Sequence, residues 1–327
     1  MALHVVSVPI DDIITTTQIS IFKTATTVTF VLGVTCLSFY GYLVLCRTPH
    51  FMKDFKKILL AYVFASFVFQ VSYACLKPLL LQPFNVIYPV GYEAPMNKLV
   101  SLCIYFFGIA WSYAVMLDSL LLIILERTAM YSFVIITNIL IFPIVVLLVI
   151  PKLPDETEIR SALSSEIQDF NNYLSMQPSL VYMPRSDNNG IFKTLLPIAG
   201  VYLAPRILTF SLLVPASICQ VRVLRSHSST ASLRRLNIMT KVIFLQGTEI
   251  LLFYAAPTAF VLSTYVIDYG HHKYFGFLCT MLLQMGTFCP VIDFFIMVFF
   301  ITPYREAILG LFRKRKITPN AHVLPQF

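Results

Sequence analysis

Seven apolar stretches, each about as long as a membrane crossing, fill most of this chain of 327 residues. A helix rises ~1.5 Å per residue through a hydrocarbon core ~30 Å thick, so one crossing takes about 20 apolar residues. Inside lipid the backbone must satisfy itself, which leaves helices or closed barrels. These runs are too long, and alternate too little, for barrel strands. The predicted spans are 25–46, 58–81, 99–125, 132–150, 194–219, 242–267 and 275–301. The expected fold class is therefore all-α and integral to the membrane, a seven-transmembrane helix bundle. Composition agrees. Mean hydropathy is +0.78 and 12% of residues are charged, about half the charge of a soluble domain.

Lys and Arg in short loops set orientation. Fifteen fall on one side: Arg47, Lys53, Lys56 and Lys57; Arg127; Arg222, Arg225, Arg234, Arg235 and Lys241; Arg305, Arg313, Lys314, Arg315 and Lys316. The other side holds seven: Lys23, Lys98, Lys152, Arg160, Arg185, Lys193 and Lys273. The richer face is expected to be cytoplasmic, with the N-terminus outside. Residues 1–24 then form an extracellular segment and 25–301 the bundle. The bundle carries a long outer loop at 151–193 and a basic inner loop at 220–241. Residues 302–327 form a cytoplasmic amphipathic helix and tail. The net charge of +8 reads as a face meeting anionic lipid and acidic partners, not nucleic acid. No cleavable signal is expected, because Asp11 and Asp12 interrupt the apolar start. No Asn-x-Ser/Thr sequon occurs.

The seven cysteines all lie in or at the ends of predicted helices. Cys75 and Cys103 sit toward the outer ends of spans two and three. They are either small buried residues or a bridged pair, if their Cα atoms come within about 7 Å. No cysteine or histidine spacing suits a metal, and His271-His272 stands isolated. No nucleotide or nucleophile motif is present, so neither an enzyme nor a cofactor is expected. The long outer loop, acidic in its first half, is either a lid over an outward pocket or a connector.

Charges inside a membrane are expensive and face the bundle interior. Asp118, Glu249 and Asp293 lie at similar depth in the inner halves of spans three, six and seven, and Arg206 lies near the middle of span five. Lys77, near an outer end, can snorkel to the surface. The three acids suit a switch that rearranges when helices move, a proton or cation path, or a static hydrogen-bonded network. Pro205, Pro257 and Pro290 interrupt spans five, six and seven. Each removes a backbone hydrogen bond and allows a kink.

Four stretches, in order and spacing over nearly the whole chain, resemble the nematode serpentine chemoreceptors, in the group that includes the H, I and Str classes. Thr48-Pro49-His50-Phe51-Met52-Lys53-Asp54-Phe55-Lys56 resembles the family's Thr-Pro-x-x-Met-x-x-x-Lys inner loop. Leu125-Glu126-Arg127 resembles its acidic-Arg pair ending helix three, although Thr128 stands where a larger residue is common. Cys289-Pro290-Val291-Ile292-Asp293 resembles its Pro-x-x-Asp in helix seven. Thr302-Pro303-Tyr304-Arg305 resembles its Pro-Tyr-Arg junction, which opens a short inner helix whose Ile308, Leu309, Leu311 and Phe312 would face lipid.

The resemblance implies a G-protein-coupled chemosensory receptor of the plasma membrane, placed in sensory cilia. It implies a small-molecule ligand outside and a heterotrimeric G protein inside. By position, ligand-facing candidates are Tyr105, Trp111 and Ser112 on span three, Tyr254 and Thr258 on span six, and Gln284 on span seven. Each of them could instead be ordinary packing. Candidates for switching and coupling are Asp118, Glu126, Arg127, Arg206, Glu249, Pro290, Asp293, Tyr304 and Arg305. Arg127 is either a coupling residue or a topological anchor. The rival function is a ligand-gated channel or secondary transporter that uses the intramembrane acids.

Overall fold

The computed structural model describes residues 8–9, 14–48, 56–81, 86–91, 98–125, 167–168, 181–182, 230–266 and 274–312, with isolated positions between 143 and 219. Predicted spans four and five, including Pro205 and Arg206, fall outside the described residues apart from those isolated positions. Glu126, Arg127 and His271-His272 lie outside them too.

Helix α1 covers Thr16–Arg47 and starts nine residues before the predicted span. Its start is a capping box. Gln18 N–H donates to Thr15 Oγ1 at 3.2 Å, and Thr15 N–H donates to Gln18 Oε1 at 2.9 Å. Two orphan donors of the first turn are satisfied reciprocally, so the mixed segment Thr16–Thr24, with Phe22 buried, is helical. Helix α2 is Lys56–Leu76, which starts two residues before the predicted span and ends five residues before its predicted end. Lys77 ends it with a left-handed φ of 44°. Its ammonium donates to Thr27 Oγ1 at 3.0 Å, tying the outer end of α2 to α1.

Helix α3 runs through Lys98–Cys103, a π-helical stretch Ile104–Trp111, and Ser112–Leu125. Helix α4, the sixth predicted span, runs through Thr230–Ile250, a π-helical turn Leu251–Ala255, and Ala256–Val266. Its first turns extend into the predicted basic loop. Helix α5, the seventh span, is Phe275–Gln284, a 3-10 turn Met285–Phe288, and Cys289–Phe300. Helix α6 is Thr302–Phe312. Among the described residues, four helices are long and apolar enough to cross a membrane.

The prolines explain two of the irregular turns. A proline has no N–H, and its ring clashes with the carbonyl four residues back. Before Pro257 the helix widens, and Ala256 N–H reaches Leu251 O five residues back. Before Pro290 it tightens, and Cys289 N–H bonds Gly286 O three residues back.

The apolar exterior is that of a membrane bundle. Val31 on α1, Phe64 on α2, and Phe295 and Phe299 on α5 are each more than half exposed, an arrangement a soluble monomer avoids. The core between α1, α2 and α5 holds Phe22, Tyr40, Tyr62 and Tyr304, all fully buried.

Residues 78–81, predicted as the end of span two, form strand β2 of a cap instead. With β1 taken as Val8–Pro9, β2 is Pro78–Leu81, β3 Val86–Pro89, β4 Ile167–Gln168 and β5 Val181–Tyr182. Strands β2 and β3 pair antiparallel, with Leu79 opposite Tyr88, and β5 adds to β3. Strand β4 of the long loop pairs parallel with β1. Leu79, Leu80, Leu81, Ile87 and Tyr88 are buried, and Leu80 N–H donates to Thr280 Oγ1 of α5 at 2.9 Å. The return from β3 is tight. A Cβ on Gly91 would lie 1.9 Å from the Cys75 carbonyl oxygen. Part of the long outer loop is therefore a strand laid on an apolar hairpin. The sheet lies at the end opposite the basic loops, called outer below.

Cys75 and Cys103 are both half-buried free thiols. On α6, Ile308 is half-buried against the bundle rather than turned wholly to lipid, while Leu309 is half-exposed.

Candidate functional site

Polar residues inside the bundle form three layers. The innermost ties α6 to α1. Tyr304 is fully buried, and its hydroxyl shares a hydrogen bond with Thr48 Oγ1 at 3.1 Å. Thr48 opens the Thr-Pro-x-x-Met stretch, so two of the four recognised stretches meet through one contact. Lys56 Nζ donates to Leu45 O at 2.7 Å and joins the start of α2 to the end of α1. Arg305 is exposed.

The next layer holds the acids. Helical spacing puts Gln246 and Glu249 on one face of α4, and Cys289 and Asp293 on one face of α5. Those helices pack together, and the carboxyls of Glu249 and Asp293 become neighbours. Tyr62 of α2 donates its hydroxyl to Asp293 Oδ2. Gln246 and the hydroxyl of Tyr40, from α1, lie beside them. Tyr40, Tyr62, Gln246, Glu249 and Asp293 are all buried. Four helices thus meet at one polar point. Several of its atoms have no hydrogen-bond partner among the described residues: Tyr40 Oη, Gln246 Nε2, both oxygens of Glu249 and Asp293 Oδ1. Asp118, on the helix packed against α4, is buried and has a partner.

Above the acids sits the junction of the two irregular turns. The π turn of α4 carries Tyr254, whose ring fits the notch left by Gly286 in the 3-10 turn of α5. A Cβ on Gly286 would meet Tyr254 Cε1 at 2.6 Å. The same ring stacks at a tilt on Tyr113 of α3, 4.9 Å between centroids, and edge-on to Phe69 of α2 at 5.4 Å. Cys289 approaches both Tyr254 and Glu249 without good hydrogen-bond geometry, and so links this junction to the acids.

Beside it, Gln284 is spent on helix contacts. Its Oε1 accepts from Thr26 Oγ1 at 3.0 Å, and its Nε2 donates to Thr29 Oγ1 at 2.9 Å and to Thr287 Oγ1 at 3.1 Å. Gln70 of α2 donates to the Thr287 carbonyl at 2.6 Å.

Toward the outer end, buried hydroxyls outnumber their partners. Tyr73, Ser101, Ser112 and Tyr254 each bury a hydroxyl with none among the described residues. Tyr105 neighbours Tyr73 and stands edge-on to Phe106 at 5.6 Å. In the same π stretch, Gly108 lets α3 close on α2, since a Cβ there would fall 2.1 Å from Ser72 Oγ. Trp111 and Thr258 are half-buried. Among the described residues, no group of three or more His, Cys, Asp or Glu could hold a metal.

The architecture and the meeting of the recognised stretches fit one family. The chain matches the family model of the serpentine type 7TM GPCR chemoreceptor Srh over residues 17–314. It belongs to the Srh class of serpentine chemoreceptors. Srh proteins are nematode seven-transmembrane receptors, not enzymes, so this chain is a multi-pass membrane protein of the chemosensory GPCR kind. No curated protein matches it at the similarity required.

Glu249 and Asp293, singled out from sequence, come together in space, as do Tyr304 and Thr48, and Pro290 lies buried one turn before Asp293. Sequence reading missed Tyr40, Tyr62, Tyr113, Gln70 and Gln246. The two glutamines carried a signal, since an amide inside a span needs a partner as a charge does. The tyrosines gave none, because on an apolar helix they read as hydrophobic.

Proposed function

We propose that this Srh-class chain binds a small, mostly apolar molecule in the outer half of its bundle and activates a heterotrimeric G protein at its inner face. The observation that carries the proposal is the set of buried hydroxyls on Tyr73, Ser101, Ser112 and Tyr254 that have no partner among the described residues. Buried polar groups are nearly always hydrogen-bonded, and an exception calls for an explanation, of which a bound molecule is one. Aromatic walls with a few polar atoms suit a compact apolar ligand bearing one hydrogen-bonding group. Tyr105, Trp111 and Thr258 would border it. Gln284 would act by holding α1 to α5.

Tyr254 would transmit binding. Its hydroxyl has no partner among the described residues, and its ring fills the Gly286 notch above Glu249 and Asp293. A ligand shifts a two-state balance only by its differential affinity for the two states. Moving Tyr254 would change the α4–α5 contact, and with it the inner ends of both helices. Asp118 and Arg206 would support this switch, while Glu126, Arg127 and Arg305 would face the G protein. The domain reading keeps 1–24 outside, 25–301 as the bundle and 302–327 at the inner leaflet, in a plasma membrane and, by family, in a sensory cilium.

The test is a ligand screen with G-protein readout, followed by Tyr254→Phe, Ser112→Ala and Tyr105→Phe at matched surface expression. At least one variant should shift the half-maximal concentration about tenfold, the size of one buried hydrogen bond. No shift in any variant would discard the pocket. Ligand-evoked current or uptake without a G protein would favour the channel or transporter reading.

A further inference from the structure

Glu249 on α4 and Asp293 on α5 are each more than nine-tenths buried, and their carboxyls are neighbours across the contact between the two helices. Two adjacent buried carboxylates repel, and each is costly without partners. The donors nearby do not resolve this: Tyr40 Oη and Gln246 Nε2 lie beside the pair, yet neither makes a hydrogen bond among the described residues. Tyr62 is committed to Asp293 Oδ2. Asp293 Oδ1 and both oxygens of Glu249 accept no hydrogen bond from the described residues. No Lys or Arg among the described residues acts on either acid. One proton placed between the two groups makes one carboxyl a donor to the other. It removes an unpaired acceptor on each side and the like-charge repulsion together.

We infer that Glu249 and Asp293 form a proton-binding site, an acid–carboxylate pair that clamps α4 to α5 in the described conformation. Its use as a signalling switch rests on the receptor reading above; the presence of the proton does not. When α4 moves away from α5, water reaches both carboxyls. The shared O–H bond then breaks, the proton passes to water, and two hydrated carboxylates remain. The clamped state holds one proton more than the open state. Rising pH therefore favours the open state, by up to about tenfold in the equilibrium per pH unit.

Among the described residues, few other titratable groups face the pair. Tyr40 comes from α1, Tyr62 from α2, Tyr254 from α4 itself and Cys289 from α5 itself. Tyr304 of α6 reaches it only through Tyr40. Tyr113 of α3 touches Tyr254 and neighbours Cys289. Asp118 on α3 is already partnered.

Infrared difference spectra of the full chain, purified in lipid nanodiscs, test the site without any signalling assay. Wild type should show the carbonyl band of a protonated carboxyl between about pH 6 and 8, above the ~4 at which exposed carboxyls ionise. Glu249→Gln and Asp293→Asn should each remove that band. Glu249→Gln keeps a donor toward Asp293, so it should fold, and its melting temperature should fall less with rising pH than that of wild type. If it does not fold, Asp293→Asn provides the same subtraction. No such band in wild type, or a band that survives both variants, overturns the site. A melting temperature that rises when sodium replaces choline at fixed pH and ionic strength also overturns it, because a cation then bridges the pair. A band that behaves as expected beside pH-independent signalling keeps the site and removes its switching role.

Discussion

Replacing Tyr62 with phenylalanine deletes one hydroxyl and keeps a fully buried ring in place. The hydroxyl donates to Asp293 Oδ2, while Asp293 Oδ1 accepts from nothing among the described residues. The substitution thus removes the direct donor seen on a buried carboxyl that joins α2 to α5. A hydrogen bond to a charged group contributes about 1.5–3 kcal/mol. Side-chain hydrogen bonds between membrane helices run lower, with a mean near 0.6 and a maximum of about 1.7 kcal/mol. The overlap, about 1.5 kcal/mol, amounts to roughly tenfold in the balance between the described conformation and any state that breaks the contact. Expressed as melting temperature it is a fall of roughly 3–6 °C. A thiol-reactive dye reads this as added labelling of Cys279 and Cys289, which are fully buried, in a background where the other five cysteines are replaced by serine. Tyr40→Phe is the control. It deletes a buried hydroxyl with no partner among the described residues, so it should be neutral or slightly stabilising. A double-mutant cycle of Tyr62→Phe with Asp293→Asn should return a coupling near the single-variant loss. The reasoning fails if Tyr62→Phe melts with wild type, or if Tyr40→Phe costs as much.

Gly286→Ala would drive a Cβ into the Tyr254 ring at 2.6 Å, costing about 1–3 kcal/mol by overpacking. Thermal melts should show the loss, and a second change, Tyr254→Leu, should recover part of it. Gln284→Leu should cost only about 0.6–1.7 kcal/mol despite its three side-chain partners, because Thr26, Thr29 and Thr287 can fall back on main-chain carbonyls of their own helices. A melt lowered far beyond that range would mean that Gln284 holds more than α1 to α5. Thr280→Val strips the acceptor of Leu80 N–H, so hydrogen exchange at Leu80 should rise while exchange within α2 stays unchanged.

The bundle was legible because lipid makes one demand on every span, and length and apolarity answer it locally. The start of α1 was also written locally, as Thr15 with Gln18, but the polar residues after it read as a tail. The strand at Pro78–Leu81 was not legible. Its four apolar residues continue the pattern of α2, and only the tertiary pairing with Val86–Pro89 and the left-handed Lys77 separate them from it. Within the site, Glu249 and Asp293 announced themselves as charges in spans. Their adjacency depended on the way a π turn before Pro257 and a 3-10 turn before Pro290 rotate the facing sides of α4 and α5. The irregular turns follow from the prolines, but their hand and size depend on neighbours such as Gly286. Gln284 reads as a pocket residue by depth, and only the rotation of α5 shows it turned toward α1.

The side of the membrane on which the N-terminus lies tests the central claim most directly. The receptor account needs the polar point at Glu249 and Asp293 on the cytoplasmic side, where a G protein docks, and the sheet cap on the other. The chain has no natural sequon, so one introduced before Lys23 and a matched one after Lys316 give separate readouts in microsomes. The account predicts glycosylation at the first site and none at the second. Glycosylation at the second site alone would contradict it, placing the basic face and the acid pair outside the cell.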